Sequence, residues 1–308
     1  MAIFNKVDFV RAWCYKILPL VYDDSLSYYE VLCKVTSALN DVITNVNNLP
    51  EYIAELIEQF ITSGAIDEVV REILANYILN VKYPPKGITP AVGDGTADDS
   101  AAIQGCIDYA AQNGYGAVYF PYGKYLTSPI TLKSNVGLYG FDRYSTSIIC
   151  KGGASAPLFS GNVENVSFAN LTLDGNDGFQ VNDIDLINAT VNNMLLVNLI
   201  FSDASRHLVI AGNGGHLQID NIVFNDCVIN AATISGNIDV QAKTILFNQV
   251  SQVRGTCAVQ IDSSGGVYDF ISKATVPVGM IITGNNNTVN ASIDNAVTPY
   301  NDTGVGNN

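Results

Sequence analysis

One period constrains this chain more than any other feature. Glu164-Asn165-Val166-Ser167-Phe168-Ala169-Asn170-Leu171-Thr172-Leu173 is echoed 28 residues later by Asn192-Asn193-Met194-Leu195-Leu196-Val197-Asn198-Leu199-Ile200-Phe201. A further 28 residues on comes Asp220-Asn221-Ile222-Val223-Phe224-Asn225-Asp226-Cys227-Val228-Ile229. A weaker copy, Lys243 to Gln252, follows after 23. Each copy is two short apolar runs around a polar bend, closed by a Gly, Asn or Asp turn. Self-similarity at such a period, built from short strands, specifies a solenoid. The absence of helical patterning between copies favours a parallel β-helix over leucine-rich repeats. Equivalent positions of successive coils then stack about 4.8 Å apart. Val166, Phe168, Leu171 and Leu173 are expected on Met194, Leu196, Leu199 and Phe201, and these on Ile222, Phe224, Cys227 and Ile229. Asn165, Asn193 and Asn221 share one register, and stacked Asn amides hydrogen-bond along such a ladder. The Asn excess is thus structural before it is sugar-binding.

The repeat does not reach the N-terminus. Residues 1–82 hold one of the 26 glycines, Gly64, and six of the seven glutamates, whereas 17 of the 22 aspartates follow. Glu suits helix interiors; Asp and Gly suit caps and turns. The sequence therefore divides into a helical region, 1–82, a Pro-rich linker, 83–92, and a β-helix domain, 93–308. In the helical region Leu32, Val35, Leu39, Val42, Val46, Leu49, Ile53, Leu56 and Phe60 alternate spacings of three and four, a coiled-coil seam. Val31, Ala38, Ile43, Tyr52 and Ile57 broaden its apolar stripe. A stripe too wide for its own segment to bury predicts a homotrimer tied together through residues 25–80.

Net charge narrows the partners. With 15 Lys+Arg against 29 Asp+Glu, the chain carries −14. This argues against nucleic acid, whose phosphates need clustered cations, and against an anionic membrane surface. No apolar run reaches the roughly 20 residues of a membrane span, and the first ten residues lack the pattern of a signal peptide. The six cysteines form no Cys-x-x-Cys pair. They are expected as buried free thiols of a chain made in a reducing cytoplasm.

The repeat has a doorway, Gly93-Asp94-Gly95-Thr96-Ala97-Asp98-Asp99-Ser100-Ala101-Ala102-Ile103-Gln104. Asp98 or Asp99 is placed to N-cap a helix running to about Gln112, with Gly114 as its stop. Ile103, Cys106, Ile107 and Ala110 form its apolar stripe. A β-helix needs such a lid over its first coil. Together with Gly116-Ala117-Val118-Tyr119-Phe120-Pro121 and Pro129 to Gly140, this run resembles the opening of pectate-lyase-like right-handed β-helix proteins. That superfamily includes polysaccharide lyases, glycoside hydrolases and the tail spikes and collar appendages of tailed bacteriophages. Leu18-Pro19-Leu20-Val21-Tyr22-Asp23-Asp24-Ser25 to Glu30 looks like the attachment region of phage appendage proteins. The resemblance implies a virion structural protein assembled in the host bacterial cytoplasm. Residues 1–82 would bind other virion proteins, and the β-helix would meet a host surface glycan.

The alternative is a spike that cleaves a polysaccharide, as a glycoside hydrolase or lyase. Glycan hydrolysis needs paired carboxylates. Asp174, Asp177, Asp183 and Asp185 cluster in and after an Asp-Gly-Asn-Asp-Gly turn, and Asp203, Arg206 and His207 follow one coil later. The candidate catalytic residues are Asp174, Asp203 and His207, with Asp177 and Arg206 as sugar-binding groups. The bland readings are ordinary turns and an Arg–Asp pair. Gly215-His216 resembles an element of pectin hydrolases, but their Asn-Thr-Asp and paired-Asp strand motifs are not evident. No metal or cofactor spacing appears.

Overall fold

The computed structural model describes residues 79–176, 178, 180, 183–247, 257–272, 278–293 and 298–308, and isolated positions between 30 and 53. The chain forms two compact units, Met1–Val70 and Arg71–Asn308. In the first, Glu30, Cys33, Lys34, Thr36, Ser37, Ala38, Asn40, Asp41, Thr44 and Ile53 are helical, as the heptad pattern predicts. Cys33 is exposed, unlike the buried thiol expected, whereas Cys106, Cys150 and Cys227 are buried and unbridged. Ile53 is 46% exposed. The other seam residues lie outside the described residues.

The second unit is the expected parallel β-helix. In chain order its first elements are β1 (Leu79–Asn80), β2 (Asp94–Asp98), α1 (Ser100–Asn113), β3 (Ala117–Phe120), β4 (Gly123–Thr127), β5 (Ile130–Thr131), β6 (Gly137–Gly140) and β7 (Thr146–Cys150). Then come β8 (Phe159–Ala169), β9 (Thr172–Asp174), β10 (Asp185–Ser202), β11 (Ala204–Phe224), β12 (Cys227–Phe247) and β13 (Cys257–Ile261). The last coils hold β14 (Val267–Ser272), β15 (Val278–Ile282), β16 (Thr288–Ile293) and β17 (Thr298–Asp302). Pairings between these strands are parallel and link each coil to the next, giving three faces. The first face runs β1, β3, β6, the end of β8, the middle of β10 and onward. The second runs β2, β4, β7, β9 and the end of β10. The third begins with β5, the start of β8 and the start of β10. The long strands β10 to β12 run through their corners, where the register shifts between Val191 and Met194 and between Asn213 and His216.

The first predicted stack is present: Val166 pairs with Met194, Phe168 with Leu196 and Leu173 with Phe201. The second is not. Met194 pairs with Leu217, Leu196 with Ile219, Leu199 with Ile222 and Phe201 with Phe224, a step of 23 residues instead of 28. The reason is that each coil carries two Asn corners five residues apart, 165 and 170, then 193 and 198. Both precede the same alternating apolar rhythm, so Asn221 aligns by sequence with Asn193 while it stacks on Asn198. The Nδ2 of Asn221 donates to Asn198 Oδ1 at 3.1 Å, and Asn198 Nδ2 to Asn170 Oδ1 at 2.7 Å. A parallel ladder joins Asn193 to Asn165 at 3.0 Å and Asn165 to Asn135 at 2.8 Å. All six have φ between 53° and 67°, the left-handed region that Asn tolerates better than other side chains with a Cβ. Inside, Phe201, Phe224 and Phe247 stack with centroids 5.0 Å apart at each step.

At the doorway, α1 packs on β1, β3, β4 and β5 through Ala102, Ile103, Cys106, Ile107 and Ala110. Asp99 holds the N-cap position, but its carboxylate turns back to accept from the Val92 and Gly93 N–H groups at 2.7 and 3.0 Å. Gly114, at φ 74°, ends the helix as expected. The expected boundary at residue 93 moves upstream. Leu79 and Val81 are fully buried, β1 pairs with β3, and Pro84 and Pro85 are buried. The stretch read as helix end and linker therefore belongs to the first coil.

Candidate functional site

The carboxylates singled out in the sequence gather where the second face turns into the third. Asp174 ends β9 with its side chain outward, and its register partner in the next coil is Ser202, one residue before Asp203. The two aspartates thus sit at one corner of adjacent coils. Asp174 Oδ1 accepts the Asn176 N–H at 2.8 Å. Burial raises its pKa despite that bond, the Asp203 charge adds to the rise, and Lys124 opposes it. The Cys150 thiol beneath is pushed up to about 11, by burial first and then by Asp174. Gly175 fits here because a Cβ would stand 2.4 Å from the Asp203 carbonyl oxygen.

The turn after Asp174 is tied down. Asn176 Nδ2 donates to Cys150 O at 3.1 Å. Gln180 Nε2 donates to Gly175 O at 2.9 Å, and Gln180 Oε1 accepts the Ala154 N–H at 3.0 Å. Asp177 lies outside the described residues.

The other candidates are not brought to this corner as a catalytic set. His207 is fully buried inside the solenoid, its ring parallel to Phe224 at 5.6 Å and stacked on Phe201 at 6.1 Å. Neither ring nitrogen has a hydrogen-bond partner, and burial lowers its pKa to about 3. Strict alternation fails at this point: His207 and Leu208 are consecutive and both buried, while Arg206 and Val209 face out on either side of them. Arg206 forms a two-pronged pair with Asp185, Nε to Oδ1 at 2.6 Å and Nη2 to Oδ2 at 3.0 Å. The Arg–Asp pair expected with Asp203 is therefore made with Asp185, which is 4% exposed and also accepts from Asn188 Nδ2 at 2.7 Å. Asp183 accepts from Ser205 Oγ at 3.2 Å. His216 stands on the surface, its Nδ1 2.9 Å from Asp239 Oδ2. Chemically, the corner offers two neighbouring carboxylates, one of them with its pKa raised by burial. Among the described residues, no group of three or more His, Cys, Asp or Glu is placed to hold a metal.

A second surface escaped the sequence reading. Tyr122, Phe141 and Tyr144 are 70%, 64% and 74% exposed. They lie at the corner between the first and second faces, where later coils place Asn170, Asn198 and Asn221. The available signal was local: Phe141-Asp142-Arg143-Tyr144 puts two aromatics and an arginine in a turn that the repeat fills with one Asn.

Comparison with known proteins agrees with this architecture. Residues 89–156 match the family model "Rhamnogalacturonase A/epimerase, pectate lyase-like". The chain is 29% identical over 213 residues to mannuronan C5-epimerase AlgE1 of Azotobacter vinelandii, covering 61% of this chain and 15% of the relative. It is 27% identical over 217 residues to plasmin and fibronectin-binding protein A of Streptococcus pneumoniae, covering 60% and 28%. It is 28% identical over 185 residues to the pre-neck appendage protein of Bacillus phage phi29, covering 53% and 21%. The chain spans less than a third of the length of each of these relatives. It carries a pectate-lyase-like parallel β-helix and is similar, over about half its length, to the pre-neck appendage proteins of Bacillus phages.

Proposed function

We propose that this protein is a structural component of a bacteriophage virion, an appendage whose β-helix meets a glycan of the host surface. The observation that carries the reading is the pairing, in one chain, of appendage-like coils with an N-terminal region patterned as a coiled-coil seam. Residues 1–82 would attach it to other virion proteins, and residues 25–80 would join three copies. An outward aliphatic ladder on the second face, Ile200, Val223, Leu246 and Ile271, supports side-by-side packing of copies. Immunogold labelling of purified virions of the encoding phage tests the reading, together with competition of phage adsorption by the isolated protein. Absence from purified virions would overturn it. Sedimentation tests the trimer: Leu39→Asp with Leu49→Asp is expected to release monomers.

A second reading, glycan cleavage, rests on the Asp174–Asp203 corner. Host wall or capsule polysaccharide incubated with the protein would release reducing ends or unsaturated uronate. Asp174→Asn would abolish that release. No release from any host polysaccharide would remove the enzyme reading.

A further inference from the structure

We infer that the corner formed by Tyr122, Phe141 and Tyr144 is a preformed platform for an anionic glycan, a chain of sugar rings bearing carboxylate or phosphate groups. The inference deepens the reading of the protein as a host-contacting appendage and rests on it. Phe141 N–H donates to Phe120 O at 3.0 Å, so the Pro121-Tyr122 turn and the 141–145 loop occupy adjacent coils at one corner. The rings on the inner side of these coils, Phe120 and Tyr125, are fully buried. The outer ones are held in water by a braced loop.

The bracing comes from several directions. Asp142 Oδ1 accepts the Tyr144 N–H at 2.8 Å, and the Asp142 carbonyl accepts from Thr146 N at 2.9 Å. Thr172 Oγ1 donates to the Arg143 carbonyl at 2.5 Å. The Arg143 guanidinium lies 4.9 Å from the Tyr144 ring centroid and donates to Tyr144 Oη at 2.8 Å. It also donates to Asn221 O and Oδ1 at 3.2 and 3.3 Å, which ties the loop to a coil 78 residues further along the chain. Lys82 Nζ sits 5.5 Å from the Tyr122 ring centroid and donates to its carbonyl at 3.1 Å.

Three properties select the ligand. Fixed aromatic rings lose little freedom on binding, and the C–H face of a pyranose, partly positive, meets the negative face of such a ring. Among the described residues neither Lys82 nor Arg143 has a carboxylate within 4.0 Å. Their positive charge is therefore open to an anionic substituent of the sugar. The chain as a whole carries net −14, which repels an anionic polymer elsewhere and favours its contact at the cationic corner.

The test uses the full chain and calorimetry with three probes: oligogalacturonate, a glycerol-phosphate-substituted oligosaccharide, and neutral cellohexaose. The wild type is expected to bind one anionic probe, which identifies carboxylate or phosphate as the source, and to bind cellohexaose at least tenfold more weakly. Phe141→Ala, Tyr144→Ala and Lys82→Gln should each weaken binding about tenfold, whereas Tyr144→Phe, which keeps the ring, should bind within threefold of wild type. Circular dichroism identifies any variant that fails to fold. Wild-type affinity in the Ala variants, or equal affinity for cellohexaose, overturns the proposal while leaving the appendage reading intact. So does altered sedimentation of the Ala variants with unchanged glycan binding, which would make the corner a contact between copies. If the wild type binds none of the probes the platform falls, and if it also fails to bind intact host cells the appendage reading falls with it.

Discussion

His207→Leu is expected to stabilise the β-helix, by an amount that grows as pH falls. The wild-type imidazole is enclosed by Phe201 and Phe224 with both nitrogens unpartnered. An unsatisfied buried polar group costs about 1–3 kcal/mol, and leucine replaces it with an apolar side chain of similar volume. The gain at pH 7 is then about 1–2 kcal/mol after some loss of ring stacking. Protonation adds a second effect. The folded-state pKa is lowered to about 3 from 6.5 by burial. Between those values the unfolded chain binds the proton and the folded chain does not. Stability therefore falls with falling pH across that window, by about 1.4 kcal/mol per unit. Above 6.5 the group contributes no slope, and below 3 the loss is complete.

The measurement is urea denaturation of wild type and His207→Leu at pH 7.0 and pH 5.0. Carboxylates common to both proteins cancel in the difference, including Asp98, whose pKa is held at about 2 by Lys151 and Ser100. The advantage of the variant should widen by about 2 kcal/mol between the two pH values. An advantage that stays constant would mean that the imidazole finds water or a partner and is not the dry ring stacked on Phe224. A variant less stable than wild type at both pH values would show that the ring stack outweighs the missing hydrogen bonds.

Three further outcomes follow from the solenoid's corners. Gly175→Ala drives a Cβ onto the Asp203 carbonyl oxygen, 2.4 Å away, and should cost about 1–3 kcal/mol in chemical denaturation. Asn198→Ala loses both ladder bonds and places alanine at φ 54°, whereas Asn198→Gly loses only the bonds. Alanine should therefore destabilise by roughly 1 kcal/mol more than glycine, and equal losses would show that the backbone is unstrained there. Asp185→Ala leaves Arg206 facing an empty buried site. Its cost should fall at the low end of about 3–5 kcal/mol because Arg206 is 39% exposed, and the double variant with Arg206→Leu should recover part of it.

The repeat made the architecture legible because a solenoid writes its fold locally. Apolar residues alternate along each strand, and the same pattern returns one coil later. Val166, Phe168 and Leu173 find the predicted partners because a single coil separates them. The second stack slipped because two corners share one motif. A slip of five residues preserves most of the apolar pattern, and only the lengths of the intervening turns reveal it. Residues 175–184 connect Asp174 to Asp185 in one coil, whereas 203–205 connect their register partners Ser202 and Arg206 in the next. His207 departs from its expected surface position for a related reason. Its neighbours Ser205-Arg206 read as a polar turn, but the chain bends here so that His207 and Leu208 are both buried, a break in alternation that the residue types alone do not announce. The Arg206–Asp185 pair was hidden by separation along the chain, since Asp203 is nearer in sequence while Asp185 is nearer across the ladder.

The same physics says where function sits in such a molecule. Positions that obey the period are fixed by stacking: the inner ones fill the core, and many corner ones satisfy their neighbours in amide ladders. Such a residue has little capacity left for a ligand. Chemistry collects where the period breaks, and three such breaks stand out among the described coils. At 141–145 one Asn corner is replaced by a braced aromatic loop. At 175–184 a short turn is replaced by one that carries Asp174 at its entrance and Asp183 at its exit. At 214–216 the ladder through Asn135, Asn165 and Asn193 ends, and the backbone N–H of His216 takes Asn193 Oδ1 at 2.9 Å in place of another Asn amide. A repeat-based reading finds the fold by what recurs and overlooks function for the same reason. The aromatic corner is the sharpest instance, because it leaves three rings in water that the rest of the solenoid would have buried or replaced with asparagine.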